Sequence, residues 1–511
     1  MRIGCKFILP ALLSMLVAYI ASFAPLHFSR PNSMYDNFNI LTTPVYSDLE
    51  GVPAEKAKKK YAFCNFDRSI CCDGTLNYPT NTAEVVELVK SAAKNGRKVR
   101  VVGGGHSMYP LVCTPHVKQE PLDIVVLDYM QDVLSIEHTE NGGIVTVEAG
   151  IRLRHLNNAL AYAGLAMSNL GLIDEQSIAG ATATGTHGSG IALPSISNAI
   201  VGMEIVTANG TVLVLSSESE AQKELLSYAK INLGLFGVVT KITMSVRKAF
   251  LLRRQHKFNT LENAWADLEK STKKYRNYQF WLVTGTNIVL ENYIDEIPRT
   301  PENLAKVLPQ WRLVFEAYKT DVLFHILTSI GWLFPKLQIA KGLPFVEPEW
   351  EFIARSDQIL NWPGINYHSV RYSEEEFFVP IQDARRGFDA IKEWNADPAN
   401  YDCLEVSIHP TRFVKGDDLP LSPSKGVRAT VAMSYVLLDH PRFPECASRV
   451  EKRLREFNAR PHWGKRHTLT SEDVKRLYGA KDVARFVELV KQLDPTGVFA
   501  TPKLKSLFEG L

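Results

Sequence analysis

Two glycine-rich segments hold the residues whose types and spacing point most directly to chemistry. The first is Val101-Val102-Gly103-Gly104-Gly105-His106-Ser107. The second is Ser177-Ile178-Ala179-Gly180-Ala181-Thr182-Ala183-Thr184-Gly185-Thr186-His187-Gly188-Ser189-Gly190. Glycine lets a backbone N–H approach a ligand with no side chain in the way, and it permits positive φ. Successive N–H groups in such a loop make a nest for an anion. Thr182, Thr184, Thr186 and Ser189 add hydroxyl donors, so a pyrophosphate is the natural guest. Either segment alone is weak, since Gly103-Gly104-Gly105 by itself reads as an ordinary turn. Neither carries GxGxxG at a strand-to-helix turn, so a Rossmann dinucleotide site is not supported. The pair, about seventy-five residues apart in one α/β region, is far more specific.

Such loops need elements to present them. Asn81-Thr82-Ala83-Glu84 has the cap pattern of a helix start. Val85, Val86, Leu88, Val89, Ala92 and Ala93 give that helix an apolar face, and Gly96 is placed to end it. Val99–Val102 predicts a strand feeding the first glycine loop. Ile124–Leu127 and Ile144–Val147 predict further strands, and Leu153–Ala163 a helix stopped at Gly164. Asn209-Gly210 between two β-prone runs predicts a hairpin, and Gly237–Val246 a closing strand. Beyond about residue 250 aromatic and charged residues increase and the glycine loops stop. The chain thus divides into an apolar N-terminal segment (1–30), a linker (31–61), an α/β cofactor domain (62–250) and a second domain (251–511). Residues 321–339 are apolar but contain His325 and Pro335, which predicts a buried or surface-seeking helix rather than a membrane span.

The motif order is specific: a strand, Gly103-Gly104-Gly105-His106-Ser107, then Val147-Glu148-Ala149-Gly150, Ser177-Ile178-Ala179-Gly180 and Thr184-Gly185-Thr186-His187-Gly188. It resembles the vanillyl-alcohol-oxidase family of flavoproteins. The resemblance implies an α+β chain with a two-part FAD-binding domain and an α+β cap domain that takes the substrate. It implies that Gly103, Gly104, Gly105 and Ser107 of the first loop, with Ser177, Gly180, Thr184, Gly185, Thr186, His187 and Gly188 of the second, hold FAD. His106 matches the histidine that many members bond covalently to the flavin; for His187 a backbone or phosphate contact is expected instead. Arg460-Pro461-His462-Trp463-Gly464-Lys465-Arg466-His467 resembles the His-Trp-Gly/Ala-Lys motif of the sugar-1,4-lactone oxidase branch. Lys415-Gly416-Asp417-Asp418 with Leu421-Ser422-Pro423, and Leu493-Asp494-Pro495-Thr496-Gly497-Val498-Phe499, resemble two more motifs of that branch. The likeness runs over about residues 62–505.

That branch implies oxidation of an aldono-1,4-lactone at C2, with L-gulono-1,4-lactone the expected substrate. O2 would be the acceptor, and ascorbate or an analogue and H2O2 the products. Lys465 would then stabilise a developing alkoxide or the reduced cofactor's charge. Glu376 would orient the hydroxyl or act as base, the other reading being a surface carboxylate beside Glu374 and Glu375. Relatives often carry Glu-x-Arg just before the Gly-Asp-Asp segment, in contact with substrate. Here the candidates are Glu405 and Arg412, which do not have that spacing, so either an insertion separates them or the acid is missing. Thr501 also stands where asparagine is usual. The plant mitochondrial lactone dehydrogenases have leucine in place of His106 and alanine in place of Gly171, whose methyl obstructs oxygen. His106 and Gly171 therefore point to an oxidase. The alternatives are a D-arabinono- or L-galactono-lactone oxidase or dehydrogenase, an alditol oxidase, and a flavin-free binding protein on the same fold.

Composition adds limits. The 511 residues are 45% hydrophobic and 22% charged, ordinary for a globular chain. A net charge of +3 gives no electrostatic case for nucleic acid. Lys56, Lys58, Lys59 and Lys60 read as a solvated linker, with membrane-surface contact the alternative. Cys64, Cys71 and Cys72 lack paired CxxC spacing, so no metal site is expected. A disulfide is allowed in an oxidising compartment, with no pairing selected. Arg2 and Lys6 precede an apolar run from Phe7 to Ala24 that is broken by Pro10. This predicts an apolar N-terminal helix acting as a signal anchor, or a signal peptide cleaved near Ala21, Ser22 and Ala24. The expected location is a membrane, first the endoplasmic reticulum; the alternatives are a mitochondrial membrane or secretion after cleavage.

Overall fold

The computed structural model describes residues 62–511 apart from 115–119, 284, 285, 310, 314, 316–349, 362–371, 404–407 and 439–442. The N-terminal apolar segment, the linker and the 321–339 stretch lie outside the described residues. Among those that are described, no helix is long and apolar enough to cross a membrane.

The first part of the chain forms where β-prone runs alternate with turn signals. β1 (Phe63–Cys64) and β2 (Cys71–Cys72) pair as a small hairpin. β3 (Thr75–Asn77), β4 (Lys98–Val102) and β5 (Leu122–Val126) make a parallel sheet in the order β3-β5-β4. The next strands are β6 (Val133–Thr139), β7 (Gly142–Glu148), β8 (Leu165–Ala166), β9 (Ile200–Val206), β10 (Val212–Ser216) and β11 (Val238–Lys248). They form an antiparallel sheet ordered β10-β9-β11-β7-β6, with β8 on β11. The expected helices form at Thr82–Lys94, where the Asn81 side chain accepts from the Glu84 N–H at 3.0 Å, and at Leu153–Tyr162. Asn209-Gly210 turns the β9–β10 hairpin, with Gly210 at φ +80°.

The second part is one larger sheet. Its strands are β12 (Leu251–Thr260), β13 (Asn277–Val283), β14 (Ile288–Ile297), β15 (Trp350–Arg355), β16 (Tyr372–Pro380), β17 (Ile408–Lys415), β18 (Ala429–Leu438) and β19 (Arg460–Pro461). Their order is β15-β12-β14-β13-β17-β18-β16-β19. Side chains alternate across a strand. Phe377, Val379, Phe413, Val431 and Met433 therefore share one face and pack with Phe388 and Leu454 of the helices Ala384–Ala396 and Phe443–Arg455. The same alternation sends Glu374, Glu376 and Arg412 to the opposite face.

The chain then returns to where it began. Trp463, Val474, Phe486, Leu504 and Phe508 pack with Val85, Val147, Leu156 and Ile242 in the first core. Thr501 caps the last helix, Pro502–Leu507, by accepting from the Leu504 N–H at 3.4 Å, which gives this departure a local role. Three disulfides close local loops: Cys64–Cys71, Cys72–Cys113 and Cys403–Cys446. The first two tie the β1–β2 hairpin to itself and to the loop after β4.

Candidate functional site

A cavity of about 340 Å³ runs between the glycine loops and the open face of the large sheet. At the loop end its wall is largely backbone. The strand β4 delivers Gly103 to a point where a Cβ would stand 2.0 Å from Ser177 Oγ. On Gly104 a Cβ would stand 2.5 Å from the Glu175 carbonyl oxygen and 3.0 Å from Arg152 Nη1. Only glycine allows the two loops to lie this close. The N–H groups of Gly104 and Gly105 donate to no protein acceptor among the described residues. Ser177 caps the short helix Ile178–Ala183 and lines the cavity, as do Ser107, Gly180 and Thr184. These exposed backbone donors and small walls fit a dinucleotide pyrophosphate.

The β1–β2 hairpin closes this end over His106. The Phe66 ring stacks on the His106 imidazole at 5.0 Å, and the Phe66 N–H donates to Gly105 O at 2.8 Å. Asn65 Nδ2 donates to Ser107 O at 3.0 Å. Asp67 ties the hairpin across the cavity, accepting from Ser373 Oγ at 2.6 Å and lying 3.4 Å from Arg466 Nη2.

At the other end the wall is charged side chains. Glu376 on β16 lies across β18 from Arg412 on β17, and Arg412 Nη2 meets Glu376 Oε1 at 2.7 Å. Lys465 pairs with Glu374. The Arg460–His467 segment runs beside β16, its His462 and Arg466 N–H groups donating to Glu376 O at 2.9 Å and Glu374 O at 3.2 Å. The Met108 N–H donates to Gly464 O at 2.8 Å, so this segment also touches the first glycine loop and holds Lys465 between the two ends. Nitrogens of His187 and His462 and an oxygen of Glu376 lie within 4.8 Å of one another. With Arg412 on the same carboxylate, the cluster suits proton handling more than cation capture.

The electrostatics separate these groups. Burial would raise the Glu376 carboxyl, but the Arg412 guanidinium holds it well below the usual carboxylate range. On Glu375, on the opposite face of β16, the Arg466 guanidinium is outweighed: burial first, then Glu451, pushes it well above that range. Burial pushes His462 down to about 3, so its imidazole is neutral.

The sequence candidates divide accordingly. Gly103, Gly104, Gly105, His106 and Ser107 line the cavity, and so do Ser177, Gly180, Thr184, Thr186 and His187. Gly171, Glu376, Arg412 and Lys465 line it too. Gly185 and Gly188 do not: Gly185 takes φ +76° in its turn, and Gly188 packs on Asn169 and Leu170. Three of the four hydroxyl donors are spent on protein carbonyls, Thr182 on Ile178 O, Thr184 on Gly180 O and Ser189 on Tyr278 O. His187 has its expected backbone contact, with Gly188 O at 2.9 Å, but its ring also lies against Glu376. The surface reading of Glu376 is corrected: it is 1% exposed. Glu405 lies outside the described residues. Two positions before Arg412, on the same face of β17, stands Pro410, and Glu376 from β16 supplies the carboxylate beside the arginine. Sequence reasoning missed Glu374, His462 and the Asn65–Asp67 clasp; the strand period over 372–380 was the available signal for Glu374.

Comparison with known proteins gives three findings. A family model described as an FAD binding domain matches residues 76–216, and one described as D-arabinono-1,4-lactone oxidase matches residues 242–507. The L-gulonolactone oxidase of Scyliorhinus torazame is 26% identical over 88% of this chain and 98% of its own length. The L-gulono-1,4-lactone dehydrogenase of Mycobacterium tuberculosis is 29% identical over 84% of this chain and 95% of its own. Among solved structures, the cholesterol oxidase of Brevibacterium sterolicum superposes with a TM-score of 0.70, covering 87% of this chain and 96% of that one at 17% identity, a likeness of fold.

Proposed function

Since the chain belongs to the D-arabinono-1,4-lactone oxidase family, we propose that it is an FAD-dependent oxidase acting at C2 of an aldono-1,4-lactone, L-gulono-1,4-lactone in particular. O2 is the acceptor, and ascorbate or an analogue and H2O2 are the products. The observation that carries this reading is the meeting of the Glu376–Arg412 and Lys465–Glu374 pairs at a cavity whose other end is a glycine-walled cradle. FAD, held by the two glycine loops, supplies the hydride acceptor when bound. Arg412 and Lys465 stabilise negative charge that develops on the substrate oxygen at the largely buried end of the cavity. Glu376, ionised against Arg412, accepts a hydrogen bond from the C2 hydroxyl and orients it. His106, under Phe66, is the attachment point for a covalent flavin, and the space beside Gly171 is the path for oxygen.

The experiment is peroxide release from the purified protein under air with L-gulono-1,4-lactone beside xylitol. Peroxide with the lactone alone supports the reading. Peroxide with xylitol alone transfers the chain to the alditol oxidases, and absence of a visible flavin spectrum rejects the enzyme altogether. A dehydrogenase is the second reading, favoured by the mycobacterial relative's name; its mark is flavin reduction by lactone without peroxide. We further propose that the N-terminal segment places the protein at the endoplasmic reticulum membrane. The three disulfides support an oxidising compartment. Membrane fractionation before and after carbonate washing checks this, and recovery in the soluble fraction rejects it.

A further inference from the structure

His187 has no part in the chemistry described so far, yet its imidazole is buried at the charged end of the cavity. A carbonyl oxygen only accepts, so the contact of Nδ1 with Gly188 O at 2.9 Å puts the ring proton on Nδ1. Nε2 of the neutral ring is then a bare lone pair. It stands 3.2 Å from Glu376 Oε1, a carboxylate oxygen with no proton to give, and the two make no directed hydrogen bond. Two electron-rich atoms facing each other in a buried site form an arrangement that gains from one added proton.

His462, the other imidazole of the cluster, is set the opposite way. Its Nδ1 accepts from the Gly464 N–H at 3.0 Å, so its own proton is on Nε2. Burial keeps it neutral, and it is a fixed donor rather than a store. The remaining groups facing His187 are Glu376 from β16, Arg412 from β17 beyond it, and the Phe378 ring at 4.7 Å. Lys465 is the next cation, and it is neutralised by Glu374. Glu376 touches the cavity, but a carboxylate held this firmly by a guanidinium retains a proton poorly. Imidazole is the side chain whose proton affinity ordinarily lies nearest neutrality.

We propose that His187 is a positioning residue that stores the proton released by the substrate hydroxyl, receiving it through Glu376. The inference rests on the reading that a hydroxyl is oxidised in this cavity. The hydroxyl O–H bond breaks and its proton passes to Glu376 and on to His187 Nε2. Carbon and oxygen become C=O as the C–H electron pair leaves with its hydrogen as hydride to the bound flavin. Glu376 ends ionised, as it began, between Arg412 and a new imidazolium. When O2 takes the two electrons, the hydride hydrogen and this stored proton supply the two hydrogens of H2O2.

The test has two arms. The first is histidine-ring 15N spectra of the resting holoprotein, which require no substrate. The His187 signal, assigned by its loss in His187→Gln, should show the proton on Nδ1 and a bare Nε2. The second is the pH dependence of anaerobic flavin reduction by lactone. The wild type should show one ionisation that both His187→Gln and Glu376→Gln lose, with reduction per bound flavin slowed about 10²-fold in His187→Gln. A His187 proton on Nε2 overturns the proposal, as does a His187→Gln enzyme that keeps the wild-type pH profile. If His187→Gln fails to fold, Glu376→Gln and the 15N spectra still decide. A wild-type flavin that no aldonolactone reduces defeats the substrate reading instead, and the 15N arm decides His187 independently.

Discussion

At the glycine-loop end the cavity wall is backbone, built from two segments whose approach depends on the lack of side chains at Gly103 and Gly104. At the sheet end it is long charged side chains from β16, β17 and the Arg460–His467 segment, meeting only because β18 separates the two strands by one position. The first end recognises by shape and fixed N–H donors and tolerates no added atom. The second works by charge pairs in which each member keeps the other ionised, and it tolerates no lost charge. Substitutions at the two ends should therefore fail differently.

The largest effect belongs to the charged end. Arg412→Met leaves a fully buried Glu376 carboxylate without its main partner, and breaking a buried pair in this way costs about 3–5 kcal/mol of stability. Lactone-driven flavin reduction should fall about 10³-fold, since both charge stabilisation and hydroxyl orientation are lost. Stopped-flow reduction and urea unfolding measure the two consequences, and near wild-type values in both would erase the contrast between the ends. At the loop end, Gly103→Ala should spare the charged groups and weaken FAD. Overpacking of about 1–3 kcal/mol corresponds to roughly 5- to 150-fold in affinity, read from the flavin-to-protein absorbance ratio. His106→Ala should retain flavin in the native cradle but release all of it on acid precipitation, where the wild type keeps it; flavin that stays on the denatured variant excludes His106 as the attachment point.

Between the two ends, Gly171→Ala adds a methyl 3.2 Å from Thr186 Cγ2, at an ordinary backbone angle, so the loop holds its shape. Reoxidation by O2 should slow by about tenfold, since packed interiors leave few alternative voids, while reduction by lactone stays within about twofold. Equal slowing of both half-reactions would remove the oxygen path from Gly171. The smallest effect lies on the back of the same strand. Glu375 has a raised carboxyl and an Oε1 with no hydrogen-bond partner. A raised carboxyl favours the folded state fully below the unfolded value of about 4.3, and that contribution is lost as pH rises toward the folded value. Glu375→Gln should therefore flatten the decline in stability between pH 5 and 8 and stabilise the protein by about 1 kcal/mol at neutral pH. A urea midpoint that moves in parallel with the wild type across this range rejects the assignment.

Much of the fold was legible where the signal was local. Asn81 capping its helix, the Asn209-Gly210 hairpin and the strand ahead of Gly103 all follow from residues within a few positions. The role of residues 463–508 was not, because a segment distant in sequence completes the first core, and no local pattern records which core an amphipathic helix will join. The disulfide pairings were equally hidden, since bond formation depends on where the Cα atoms meet.

The candidate site divides along the same line. The sequence by itself determined the cradle, since glycines, hydroxyls and a flanking histidine act where they stand. It also set Lys465 in a motif context and left Arg412 without the matching acid. Only the tertiary structure decided which carboxylate serves each cation: Glu376 beside Arg412 where Pro410 occupies the nearer position, and Glu374 beside Lys465. It also turned Glu375 away from both, through the two-residue period of a single strand. Charge pairing acts through space across neighbouring strands, and strand order in a sheet is not written in the spacing of any one segment.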